Sequence, residues 1–154
     1  MYTEQDYQDI CAQLKRRWTA LLIPSLLLLA GVAVSFAFRK KEITMVLTAL
    51  LGIAFIFCFF MFLSPVMAYR RHLDEVLHGK TRRTEGAFKE MEEKPVWREG
   101  VSYYPMTLNV GNMEEPGDDR LFYFDANLQR PDWQPGERIA VTAHDKAVGA
   151  WEKL

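Results

Sequence analysis

Few side chains in this sequence have reactive or metal-ligating chemistry, and they are widely spaced. The candidates are His72, His78 and His144, Cys11 and Cys58, and one dense acidic run, Glu114-Glu115-Pro116-Gly117-Asp118-Asp119. Four carboxylates in a loop could hold calcium, but their spacing is not that of an EF-hand and defines no ring of ligands. The run reads as a solvated hairpin loop. The histidines lack zinc-ligand spacing, and neither cysteine lies near them in sequence. Gly79-Lys80-Thr81 matches the end of a phosphate-binding loop, yet the earlier glycine is missing and strand-like alternation follows where a helix is needed. No GxSxG elbow and no framed carboxylate pair is present. The pattern therefore calls for no catalytic residue, no metal and no cofactor. Trp97, Trp133 and Trp151 are expected to cap a β-domain or pack against its stalk. An exposed aromatic patch of Tyr103, Tyr123 and Trp151 is the candidate interaction surface.

The elements that would position these residues divide into an apolar and a polar part. Residues 18–38 carry no charge and would make a helix of about 31 Å, matching a hydrocarbon core of about 30 Å. Residues 43–68 are also uncharged, and only Arg39-Lys40-Lys41-Glu42 separates the two runs. The expected architecture is a transmembrane helical hairpin with spans at about 18–38 and 43–66. Lys15, Arg16, Arg17, Arg70, Arg71, Lys80, Arg82 and Arg83 flank its open end, against Arg39, Lys40 and Lys41 at the tip. By the positive-inside rule both termini are cytoplasmic, in a multi-pass protein of the inner membrane. Trp18, Arg16, Arg17, Arg70 and Arg71 are the expected interface anchors. Neither span holds an ionisable carboxylate or amine, which argues against a transport pathway through the hairpin alone. Small residues instead suggest packing. With the turn centred between Lys41 and Glu42, Gly31 is level with Gly52 and Ser35 with Thr48, a seam either within the hairpin or between protomers.

Before the first span, residues 1–17 read as an amphipathic helix with Thr3 and Asp6 as a capping pair. It either lies along the membrane surface or runs straight into the span. After the second span, residues 69–80 form a helical stalk, in which Arg70 and Asp74, and Arg71 and Glu75, have i,i+4 spacing. From residue 81 the period becomes two. Strands are expected at 83–91, 101–110, 120–126, 138–144 and 146–152, with Pro105 at an edge or bulge. Turns are expected at Gln134-Pro135-Gly136-Glu137 and at His144-Asp145-Lys146. The reading is an α+β membrane protein whose residues 81–154 form a small five-stranded β-barrel of OB or SH3 type. From Lys80 onward there are eleven basic and fourteen acidic residues, a balance that argues against a nucleic-acid partner. Cys11 and Cys58 fall in different helices and point to no disulfide framework.

A membrane hairpin followed by such a barrel resembles the NfeD-type proteins. The segments Val101-Ser102-Tyr103-Tyr104-Pro105 and Pro135-Gly136-Glu137-Arg138-Ile139-Ala140-Val141 also resemble small bacterial membrane proteins built from a hairpin and a β-domain. The glycine-rich opening of the NfeD barrel is absent here. The resemblance implies a non-enzymatic scaffold whose cytoplasmic barrel assembles with a partner, either a second copy or a larger membrane protein. The alternative is a regulatory subunit whose barrel binds a small ligand or ion and acts through the stalk. A pocket lined by Tyr103, Tyr123 and Trp151 would favour the alternative.

Overall fold

The computed structural model describes residues 1–113 and 115–154. Glu114, the first residue of the acidic run, lies outside the described residues. The chain divides into two compact units, one of Gln8–Met67 and one of Met1–Tyr7 with Ala68–Leu154.

The first of these units is helical, and its outer helices begin and end in the second. Helix α1 is Glu4–Ala37, α2 is Lys41–Cys58, and a π-helical turn at Phe59–Leu63 leads into α3, Ser64–His78. Residues 1–17 therefore form no separate helix; α1 runs without a break through Pro24. At its start, Asp6 Oδ2 accepts from Thr3 N and Oγ1, both at 2.7 Å, which completes the expected cap. The widened turn has a local cause. Pro65 has no N–H for the carbonyl four residues back, and its ring clashes there, so an extra residue is accommodated just before it. Arg17 Nη1 donates to the Phe62 carbonyl in that turn at 2.7 Å.

Both α1 and the helical stretch Lys41–His78 are long and apolar enough to cross a membrane. The hairpin between them turns earlier than its sequence suggests. Arg39 adopts φ 54° and Lys40 N–H returns to the Ser35 carbonyl, so Lys41 and Glu42 already belong to α2. Ser35 Oγ consequently lies 2.9 Å from Thr44 Oγ1, one turn from the expected Thr48. Gly31 faces Leu47, and Thr48 returns its hydroxyl to its own helix at the Thr44 carbonyl. Together with Gly52, Thr48 lines a shallow apolar groove between the helices.

The second unit holds the β-domain: β1 Thr81–Met91, β2 Val96–Arg98, β3 Val101–Asn109, β4 Asp119–Asp125, β5 Arg138–His144 and β6 Ala147–Lys153. The order β1-β5-β6-β4-β3 returns from β3 to β1, closing a five-stranded barrel, and β2 adds a sixth strand outside it on β3. All pairings are antiparallel except β4 with β6. Alternation supplies the core: Met106 and Leu108 of β3, Phe122 and Phe124 of β4, and Ile139, Val141 and Ala143 of β5 meet Phe88, Val148 and Trp133. Pro105 falls where the β1 ladder on β3 ends. Its carbonyl accepts from Glu92 N–H, and the donor it lacks would have bonded at the last rung. The Gln134–Glu137 turn closes as expected, with Gly136 at φ 88°.

Candidate functional site

A buried polar chain lies where α3 and the N-terminal residues meet the barrel. It is built from Tyr2, Tyr69 and His72, Tyr103 of β3, and Asp125 at the end of β4. Asp125 is fully buried and, among the described residues, has no ion-pair partner. Four donors satisfy it instead: Tyr2 Oη at 2.7 Å and Tyr69 Oη at 2.8 Å on Oδ2, and Asn127 N and Nδ2, both at 2.8 Å, on Oδ1. Those four contacts saturate an ionised carboxylate.

The direction of every other bond follows from this one. Tyr2 has spent its only proton on Asp125, so its oxygen accepts from His72 Nε2–H across 3.1 Å. With the proton on Nε2, neutral His72 accepts at Nδ1, and Tyr103 Oη donates to it across 3.0 Å. The relay therefore runs Tyr103 to His72 to Tyr2 to Asp125.

Burial lowers the pKa of His72, against the opposing pull of Asp125, which keeps the imidazole neutral near pH 7. Burial, followed by the charge of Asp125, raises the pKa of Tyr2, Tyr69 and Tyr103. The stability of the unit should therefore fall on both sides of neutrality. Below about pH 6.5 the unfolded chain takes up a proton at His72 that the folded chain resists, and the loss stops below the folded pKa. Above about pH 10 the unfolded tyrosines ionise while the folded ones hold their protons, so up to three protons are released on unfolding. Denaturant titration of the full chain in detergent across this range should give a plateau with a shallow acid limb and a steeper alkaline one. A flat profile from pH 9 to 11 would contradict the burial of the three hydroxyls.

Beside His72 and Tyr103 the surface opens into a cavity of about 400 Å³. Tyr123 contributes an aromatic wall, 5.9 Å between centroids from Tyr103, and Arg98 lies over the Tyr123 ring at 4.9 Å. Glu75 of α3, Glu99 of the β2–β3 turn, and Asp145 and Lys146 of the β5–β6 turn supply further charge. Glu99 and Asp145 hold φ of 53° and 52°, conformations that cost a non-glycine residue energy and are often kept at binding sites. Close packing brings α3 to the barrel here. A Cβ on Gly149 would stand 2.5 Å from Val76 Cγ1, so only glycine admits the helix at that height.

The structure brings Tyr103 and Tyr123 together but leaves Trp151 elsewhere. Trp151 packs edge-to-face on Trp133 at 4.9 Å against the barrel core. Tyr103 is buried, so the three residues form no exposed patch. Trp133, from the segment between β4 and β5, is buried in the barrel's core cluster, whereas Trp97 is 75% exposed. Trp18 meets Phe59 edge-to-face, Arg17 is bound to the main chain, Arg16 and Arg71 are exposed, and Arg70 reaches the Tyr7 hydroxyl at 3.4 Å. Asp74 faces His78 at 3.1 Å, a partner different from the expected Arg70. In the acidic run, Asp118 accepts from Asn112 N–H and Asp119 pairs with Lys89 at 2.6 Å, so these carboxylates close the loop. Among the described residues no three His, Cys, Asp or Glu side chains converge as metal ligands, and both cysteines are free thiols.

One signal for the relay was present in the sequence. His72 lies within the apolar stripe of α3, between Tyr69 and Val76, and a polar residue on a stripe needs a buried partner. Its partners could not be named, because they are 31 to 70 positions away. Comparison with protein-family models, with curated proteins and with solved structures returns no match.

Proposed function

We propose that this chain is a non-enzymatic, multi-pass protein of the inner membrane with both termini in the cytoplasm, where its β-barrel serves as an assembly module for a protein partner. The carrying observation is the outer edge of the β-domain. Strand β2 pairs with β3 alone, its three residues are all exposed, and Trp97 stands 75% exposed between Val96 and Arg98. An unpaired edge bearing a large aromatic and an arginine suits strand addition by a partner, with Trp97 as its anchor. The basic residues flanking the open end of the hairpin support the cytoplasmic assignment. A non-enzymatic role agrees with the relay, whose hydroxyl protons are all committed to internal acceptors. We also read the barrel as OB-type. With β2 set aside, its successive strands follow the order 1-2-3-5-4-1, with the third and fifth parallel.

A photoreactive residue at position 97, crosslinked in native membranes and followed by mass spectrometry, tests the assembly role. A discrete product is expected, containing either a second protein or a second copy. Trp97→Ala should weaken the same association about tenfold or more without changing barrel stability, since the side chain is mostly in water. Recovery of monomer alone from position 97 would remove the reading.

The cavity at Tyr103 and Tyr123 favours a second reading, in which the barrel binds a small ligand and acts through α3 as a regulatory subunit. Its volume lies within the range of small-molecule sites.

A further inference from the structure

We propose that the cavity beside His72 and Tyr103 is a binding site for a small organic amine, whose ammonium group donates to Tyr103 Oη and is neutralised by the carboxylates around it. This goes beyond the assembly role and rests on the second reading, that the cavity takes a ligand.

The polarity of Tyr103 carries the argument. Its proton is committed to His72 Nδ1 by the directional chain that starts at Asp125, so toward any ligand its oxygen can only accept. A donor is therefore required, and an ammonium offers three. The surrounding charge has the matching sign. Glu75, Glu99 and Asp145 line the cavity together with Arg98 and Lys146, three carboxylates against two cations, and Arg98 lies over the face of Tyr123. Among the described residues none of the three carboxylates has an ion-pair partner. Burial, followed by the charges of Asp125, Glu99 and Glu75 and opposed by Arg98, raises the pKa of the Tyr103 hydroxyl, so the carboxylates near it act in the sense that favours a cation. The rest of an amine of a few carbons would lie against the Tyr123 ring, which favours cations and apolar atoms alike.

Thermal unfolding of the full chain in nanodiscs of phosphatidylcholine tests this, with ethanolamine as the probe and ethylene glycol as its neutral counterpart. A saturable rise in Tm with ethanolamine and none with the glycol is expected. Nanodiscs containing phosphatidylethanolamine, with no free amine added, ask whether a lipid headgroup supplies the same group. A rise in that arm also supports the site and assigns its source. Glu75→Gln, which removes one half-exposed charge and no packing, should weaken ethanolamine roughly fivefold, the scale of one such ion pair. Tyr103→Phe should abolish binding but also strips His72 of its donor, so Glu75→Gln carries the test where that variant unfolds. Equal shifts with glycol, or with acetate in place of the amine, would overturn the amine while keeping a ligand site. No shift with any probe would overturn both.

Discussion

Gly86→Ala should cost the barrel about 3 kcal/mol or more, a large share of what holds a domain of this size together. Gly86 lies in β1, where the strand leaves β5 and turns onto β3 to close the barrel. A Cβ there would stand 2.5 Å from the Asn109 carbonyl oxygen and 3.1 Å from its carbon. Those are backbone atoms, and they cannot retreat. Asn109 pairs with Ala87, is buried, and holds Asp119 at 2.9 Å and Gly111 N at 3.1 Å through its side chain. The methyl must therefore separate β1 from β3 and open the closing ladder. Gly117→Ala is the matched control, because nothing lies within 4 Å of the added carbon. Its effect should stay within about 0.5 kcal/mol. Denaturant unfolding of the full chain, read by the fluorescence of buried Trp133, measures both. An unchanged midpoint for Gly86→Ala would mean that β1 and β3 do not close at this point.

What could be read in advance was whatever depends on neighbours in sequence. Alternation fixes which face of a strand is apolar, and β5 begins and ends at Arg138 and His144 as its pattern predicts. The Thr3–Asp6 cap and the Pro135-Gly136 turn were legible for the same reason, because their chemistry closes within four residues. Strand β2 was not. Its three residues are all exposed and show no alternation, and only its pairing with β3 makes it a strand. The hairpin register is not legible in the sequence, because Lys41 and Glu42 look like turn residues, whereas Arg39 takes the left-handed conformation that ends α1. The relay and the cavity depend on strand order. Asp125 reads as the polar end of a strand, and Tyr2 as a terminal residue, until the barrel brings β4 beside α3 and the N-terminal segment. Aromatic identity alone grouped Tyr103, Tyr123 and Trp151. The pleat decides instead, and it sends Trp151 toward Trp133.

Two substitutions at Asp125 should separate the relay's structural role from its direction. Asp125→Ala removes the acceptor of four donors at once, two from the partly buried tyrosines and two from Asn127 at the surface, and is expected to cost about 2–4 kcal/mol, most of it from the tyrosine hydroxyls. Asp125→Asn should be far milder, near 1 kcal/mol, because the network can be satisfied again with its polarity reversed. The retained amide oxygen still accepts from Asn127. The new NH2 has two protons for the two tyrosine oxygens that faced Oδ2. Tyr2, relieved of its acceptor, then donates to His72 Nε2, which moves the imidazole proton to Nδ1. Tyr103 becomes the acceptor within the chain and turns its own proton outward. The folded barrel persists, but the group presented to an ammonium is now a donor, and ethanolamine affinity should fall although no cavity-lining residue has changed. Chemical denaturation and ethanolamine titration of both variants decide the matter. An alanine variant as stable as the parent would show the relay to be slack. An asparagine variant that keeps full amine affinity would show that Asp125 does not set the direction of the Tyr103 hydroxyl.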